Sequence, residues 1–269
     1  MRSCRAVGGG SVILVLAATM TAGCIGAGDR PQERAGSARV TSAASTDEHH
    51  DALAGLLRLH VGPDGRVDYA ALRRERAALD AVATGYANVA LDAMTPSGRL
   101  ATLLNAYNVF TLQLIVEHPE VATIRDIPEA WTRRRWRVGG RTVSLDELEK
   151  SLIRSSTDDA RFHFALVCAA VGCPPLLAEP FTAESIETQL DARTRLVHRT
   201  GRWFRHDEER GELWLTPLYD WYAEDFRRDA GSVLEFVARY APSVRRAIDE
   251  GRPPGVRWKE YDWSLNARE

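Results

Sequence analysis

Residues 97–119, SGRLATLLNAYNVFTLQLIVEHP, hold the clearest element of this chain. Leu100, Leu103, Leu104, Tyr107, Phe110, Leu114 and Ile115 recur at helical spacing and form one apolar stripe. Ser97 is the expected N-cap, and Pro119 stops the helix. Asn105 and Asn108 lie three residues apart and share a face. At about 100° per residue, Asn108 falls at the edge of the stripe and Asn105 further round toward the polar side. Asn is a poor helix former, so two of them beside Tyr107 suggest a purpose. Either they bond neighbouring backbone or they line a polar, substrate-binding pocket.

Toward the N-terminus, Leu53, Leu56, Leu57 and His60 predict a helix that ends before the turn Pro63-Asp64-Gly65. After Val67-Asp68-Tyr69, a second helix is expected from Ala70 to about Leu91. Toward the C-terminus, Trp136 to Val143 alternates around Gly139-Gly140 as a β-hairpin should. Ser144 and Glu147 then form a capping box for a short helix ending near Arg154. Phe162–Val167, apolar on both faces, reads as a strand in the centre of a sheet. A helix from about Ala183 to Arg199 follows, and then a hairpin of Trp203–Phe204 with Leu213–Leu215. Ser232 caps a helix carrying Val233, Leu234, Phe236, Val237 and Tyr240, and an aromatic segment, Trp258 to Leu265, ends the chain. No internal repeat divides the region. The expected fold is a single α+β domain over residues 48–269, with a central sheet of strands and hairpins packed by several helices.

The first residues read differently. Arg2 and Arg5 precede an apolar run, Val12 to Met20, that is too short to span a bilayer. Thr21-Ala22-Gly23-Cys24 follows, so residues 1–23 are read as a cleaved signal peptide and Cys24 as a lipidated N-terminus. Thr21 stands where the lipobox usually has Leu. Ile25, rather than an acidic residue, follows the cysteine, which directs the expectation to the outer membrane, facing the periplasm. From residue 24 to 47 the chain is Gly, Ala, Ser, Thr, Arg and Asp, the composition of a flexible tether with a reach on the order of 25 Å.

The sequence carries 35 basic and 37 acidic side chains, and Lys150 and Lys259 are its only lysines. No one-signed stripe accompanies the arginines, which argues against nucleic acid as a partner. The expected partners are the membrane, through the lipid at Cys24, and an envelope protein or glycan. The run Arg133, Arg134, Arg135 and Arg137 beside Trp131 and Trp136 is read as a solvated hairpin face. A weak contact with anionic lipid or peptidoglycan is its sharper alternative.

Several short blocks, taken in order, resemble the family called domain of unknown function 547. They are Val67-Asp68-Tyr69, Asn105-Ala106-Tyr107-Asn108, Ile124-Arg125-Asp126-Ile127, Ser144-Leu145-Asp146-Glu147 and His163-Phe164-Ala165-Leu166. Cys173-Pro174-Pro175, Asp220-Trp221-Tyr222 with Asp225-Phe226, and Tyr261 through Asn266 complete the set. Thr102-Leu103-Leu104 departs from the family's usual aromatic pair before Asn105. The resemblance implies no settled activity.

Chemistry is sought in the mature domain's polar groups. His163 sits in an otherwise apolar run, where an imidazole is costly unless hydrogen-bonded. It reads either as a satisfied core histidine or as the base of a site. Cys173, in the turn Val171-Gly172-Cys173-Pro174, is a candidate nucleophile for His163 because turn amides lower a thiol pKa. The rival reading is a Cys168–Cys173 disulfide, as expected of two nearby cysteines in an oxidising compartment. The spacing of His163, Cys168 and Cys173 does not suit zinc, and no metal or other cofactor is expected. Asp220, Tyr222 and Asp225 sit among Trp221 and Phe226 on a short helix after Pro217. Aromatics beside carboxylates can bind sugars or cations, so Asp220 and Tyr222 are candidate substrate-binding residues, unless the helix is there to pack its rings inward. Two function classes stay open. One is a hydrolase or transferase acting on envelope amides or peptides, with His163 as base. The other is a non-catalytic envelope-binding or scaffold module stapled by the disulfide.

Overall fold

Helix α4 (Pro96–Glu117) is buried on every side from Leu100 through Val116. The single stripe expected of it is therefore only part of what it hides. Its start also differs from expectation: Thr95, not Ser97, is the N-cap and accepts from the Gly98 amide, with Pro96 at the first helical position. The helix is long and apolar enough to cross a membrane, yet 94% of its most apolar window is buried within the domain, which makes it the core helix. This computed structural model describes residues 42–268, with side chains from His49 onward. The signal peptide, Cys24 and most of the tether read from the sequence lie outside the described residues.

The described residues form one α+β unit with ten α-helices and two small sheets. Helix α1 (Ser42–His60) begins within the segment read as tether. The expected second helix is broken at Glu75 into α2 (Tyr69–Arg74) and α3 (Arg76–Gly85). Helices α2 and α3 pack on α4, and α1 packs on α2 and α3. Strands β1 (Trp136–Val138) and β2 (Arg141–Val143) form the foreseen hairpin, with Gly139 and Gly140 at positive φ in its turn. The capping box at Ser144 opens α5 (Leu145–Glu147) and is reciprocal as expected. The chain then widens into a π-helical turn, Leu148–Ile153.

The second half builds a smaller core. Helix α6 (Ile186–Arg199) leads into the hairpin of β3 (Phe204–Asp207) and β4 (Glu212–Leu215). Helices α7 (Leu218–Trp221), α8 (Ala223–Ala230), α9 (Val233–Ala238) and α10 (Pro242–Asp249) follow. Strand β5 (Gly255–Trp258) joins β4 in parallel, a pairing not foreseen. One apolar cluster surrounds α4, and a second gathers Phe164, Tyr219, Phe226 and Phe236.

No central sheet runs between these cores, and both sheets lie outside the core helix. The expected strand Phe162–Val167 is instead a 3₁₀ turn, Ala160–Phe164, capped by Asp159, followed by irregular chain. The reason is environment: Phe162 enters the α4 core while Ala160 and Phe164 enter the second. Apolar residues on every face therefore record burial between two clusters, and not a strand inside a sheet.

Core packing around α4 gives a direct expectation. Leu104 is fully buried, so Leu104→Ala should cost about 2–5 kcal/mol. Leu59, 61% exposed, should change stability by no more than about 0.5 kcal/mol as Leu59→Ala. Urea unfolding of the two variants beside the parent measures both.

Candidate active site

The junction of the two cores opens into a cleft of about 350 Å³. His163, Cys168, Cys173 and Tyr222 all line it, together with Tyr107, Glu149 and Tyr261. Trp131, Trp221 and Trp263 form its aromatic wall.

His163 is 2% exposed. Its Nε2 lies 2.9 Å from Asp225 Oδ2, and its ring stacks on Tyr222 at 3.8 Å between centroids. Nδ1 has no hydrogen-bond partner in the protein. Asp225 also forms an ion pair with Arg154 at 2.7 Å and accepts from Arg228. Burial favours a neutral Asp225 carboxyl, but the hydrogen bond from His163 and the charges around it, those of the two arginines included, hold it below its usual range. Two cations already balance this carboxylate, so a third is not needed. Burial accordingly lowers the His163 pKa to about 4 against the opposing pull of Asp225. The neutral ring donates through Nε2–H to Asp225 and leaves Nδ1 as a free acceptor.

Cys168 and Cys173 are free thiols whose sulfurs are 2.9 Å apart, well outside the ~2.05 Å of a disulfide bond. Burial would raise the Cys173 thiol. Hydrogen bonds from the Cys168 thiol, the Tyr261 hydroxyl at 3.1 Å and the Ala170 and Cys168 backbone outweigh it and bring the pKa to about 7. Cys168, the donor of that pair, is pushed well above the usual thiol range by its bond to Cys173 and by burial. The loop between them is tightly held. Ala169 sits at φ 61°, a conformation uncommon for a residue with a Cβ. The amides of Val171 and Gly172 donate to Ser264 and Asp262, while Asn266 donates to Ala169. A Cβ on Gly172 would stand 2.9 Å from the Tyr261 ring, so glycine there permits the ring to reach the thiols.

The remaining candidates separate. Asn105 donates to and accepts from the Phe181 backbone, and Asn108 does the same with Ala165 and Val167. Of the two purposes open to them, the structure shows the backbone-bonding one, and neither side chain lines the cleft. Asp220 is exposed and lies outside the cleft lining, while Tyr222 lies within it. Asp225, on α8, is the carboxylate that meets His163. The sequence placed it beside Asp220 and Tyr222 among the aromatics and did not pair it with His163. Glu149, Arg154 and Tyr261 were missed as well. Only the placing of Glu149 and Tyr261 beside a capping box and an aromatic run hinted at them. Among the described residues, no three His, Cys, Asp or Glu side chains cluster as metal ligands. The arginine run is partly committed, Arg134 to Glu117 at 3.1 Å and Arg135 to Glu147 at 2.8 Å.

Fold and cleft together define a helical α+β domain with an Asp–His pair and a dithiol at the junction of two cores. Residues 91–196 match the family model described as "Protein of unknown function, DUF547", so the resemblance read from the motifs holds over that segment. No curated protein and no solved structure matches the chain.

Neutral buried histidines make stability depend on pH. His163 and His198, whose pKa burial likewise lowers to about 4, hold their protons less tightly folded than at the ordinary 6.5. Between those values the unfolded chain binds more protons, so stability rises with pH from about 4 to 6.5. The gain is on the order of 3 kcal/mol per histidine. Urea unfolding across that range should show it, and a flat profile would refute neutral imidazoles at both positions.

Proposed function

We propose that the cleft is an acyl-transfer site, belonging to a hydrolase or transferase that acts on amides or peptides of the cell envelope. Cys173 is the nucleophile, His163 the base and Asp225 the group that orients it. The observation that carries this reading is that His163, whose buried Nδ1 has no partner in the protein, lines the same cleft as Cys173. The Cys173 thiol gives its proton to His163, and its sulfur attacks the amide carbon. The C–N bond then breaks as the imidazolium returns the proton to the leaving amine. Water or an acceptor amine next takes the acyl group from the thioester. Cys173 is bonded to Tyr261 and Cys168, and its approach to His163 tightens when substrate enters.

The protein is further proposed to be exported and anchored by lipid at Cys24, at the outer membrane facing the periplasm. A second reading, a non-catalytic envelope-binding module with a Cys168–Cys173 disulfide, is favoured by the contact of the two sulfurs. Oxidation would remove the nucleophile.

In reduced protein, iodoacetamide should label Cys173 before Cys168, with a rate that rises through a midpoint near pH 7. Tyr261→Phe should move that midpoint upward. His163→Asn should abolish function in a cellular complementation assay while the protein stays folded. A variant that complements fully would end the enzymatic reading. Intact mass without reductant separates the alternatives: protein isolated from the envelope two hydrogens lighter, with unreactive cysteines, supports the disulfide module. For the anchor, Cys24→Ala should move the protein from the membrane pellet to the soluble fraction. An unacylated mature N-terminus elsewhere would refute lipidation.

A further inference from the structure

Glu149 lines the cleft but serves neither the base nor the nucleophile. It is 6% exposed, and its Oε1 has no hydrogen-bond partner in the protein. An unpaired buried carboxyl oxygen is costly, so its presence needs a reason. The backbone underlines the point, because Glu149 sits in the π-helical turn Leu148–Ile153 and such turns recur at functional sites.

Two nearby cations are committed to carboxylates, Lys150 to Asp146 at 2.6 Å and Arg154 to Asp225 at 2.7 Å, and a third, Arg125, already lies over the Trp263 ring at 5.3 Å. Tyr222, stacked on His163, is the polar neighbour on the other side. Burial raises the Glu149 pKa, against the pull of Tyr222, which favours a carboxyl that ionises when a counter-charge arrives. Above it stands the aromatic wall. Trp221, 46% exposed, stacks on Trp263 at 5.6 Å, and Trp131 meets Trp263 edge-on at 6.2 Å. Faces of indole rings attract cations.

We propose that Glu149 and the rings of Trp131 and Trp221, backed by Trp263 with its own Arg125, form a receptor for an organic ammonium group. The ligand class is an amide or peptide carrying an amine side chain, presented to Cys173 in the same cleft. An anion would meet a carboxyl and electron-rich ring faces, so it is excluded. A neutral sugar would need free polar groups at the mouth, where Asp146 and Lys150 already satisfy each other. The identification of the ligand as an amide rests on the acyl-transfer reading, whereas recognition of the ammonium group does not.

The test is binding, not turnover. Full-length reduced protein is titrated, by tryptophan fluorescence and calorimetry, with Nα-acetyl-lysine amide, Nα-acetyl-norleucine amide and Nα-acetyl-glutamate amide. The lysine compound should bind at least about tenfold tighter than either of the others, about 1.4 kcal/mol. Glu149→Gln should erase that preference and leave the affinity for the norleucine compound unchanged. Trp221→Ala, an exposed position, should weaken the lysine compound alone, with thermal melts confirming that both variants fold. Equal binding of the lysine and norleucine compounds, no binding of any, or a preference that survives Glu149→Gln would overturn the proposal. So would tighter binding of N,N′-diacetylchitobiose, which would mark the wall as a sugar platform. Failure of Cys173 to alkylate while the lysine preference stands would sink the catalytic reading and leave the receptor.

Discussion

The structure depends on how Asn105 and Asn108 use their amides. The chain from Ala160 to Phe181 runs through the interior with little regular structure, so its backbone N–H and C=O groups have no ladder to satisfy them. Asn108 answers for Ala165 and Val167, donating at 3.0 Å and accepting at 2.9 Å. Asn105 does the same for Phe181, at 2.8 and 2.9 Å. Each side chain thus acts as one rung of a strand, projected from a helix. This arrangement lets the buried stretch of α4 carry two Asn side chains whose amides are both paired. It also fixes the irregular segment that holds His163 and Cys168. Replacing either Asn by an apolar residue would strand two buried backbone groups, each at roughly 1–3 kcal/mol.

That device explains what the sequence could and could not reveal. Helix α4, the Gly139-Gly140 hairpin, the capping box at Ser144 and the cap at Ser232 were all legible, because each depends on local spacing or local hydrogen bonding. The run Phe162–Val167 was not. A short, wholly apolar segment reads alike as a buried strand or as a turn wedged between cores, and periodicity cannot separate them. The partner that decides the matter is Asn108, nearly sixty positions away in the chain. The parallel pairing of β4 with β5 was hidden for the same reason: helices α7 to α10 intervene, and nothing local records the crossover. At the site, the apolar surroundings identified His163 as unusual. Its partner was not legible, because Asp220 and Asp225 look equivalent in sequence, and only the break between α7 and α8 leaves Asp220 exposed and Asp225 buried against His163.

Asp225 also ties the two cores together. It sits on α8 in the second half, while Arg154 follows the π-helical turn of the first and His163 lies between them. Buried ion pairs contribute little net stability, since desolvation offsets attraction, but loss of one partner leaves an uncompensated charge worth about 3–5 kcal/mol. The cluster therefore contributes definition more than strength. It joins elements of both cores beside the cleft. A neutral His163 follows chiefly from burial, which the charges of Arg154 and Arg228 reinforce, so the cluster that joins the cores also favours the imidazole as an acceptor.

The cleft draws on residues far apart in the chain, and this bears on what the matched segment can mean. Tyr107, Trp131, Glu149, His163 and both cysteines fall within residues 91–196. Asp225, Tyr222, Tyr261 and the rings of Trp221 and Trp263 fall outside it. Without the outer residues, His163 would lose the carboxylate that fixes its tautomer, and Cys173 would lose the hydroxyl that helps bring its pKa to about 7. The C-terminal segment acts on the backbone as well, because its bonds to Ala169, Val171 and Gly172 hold the cysteine loop in its strained turn. Segment 91–196 therefore supplies the two thiols and the imidazole, and the chain beyond it sets their protonation and geometry.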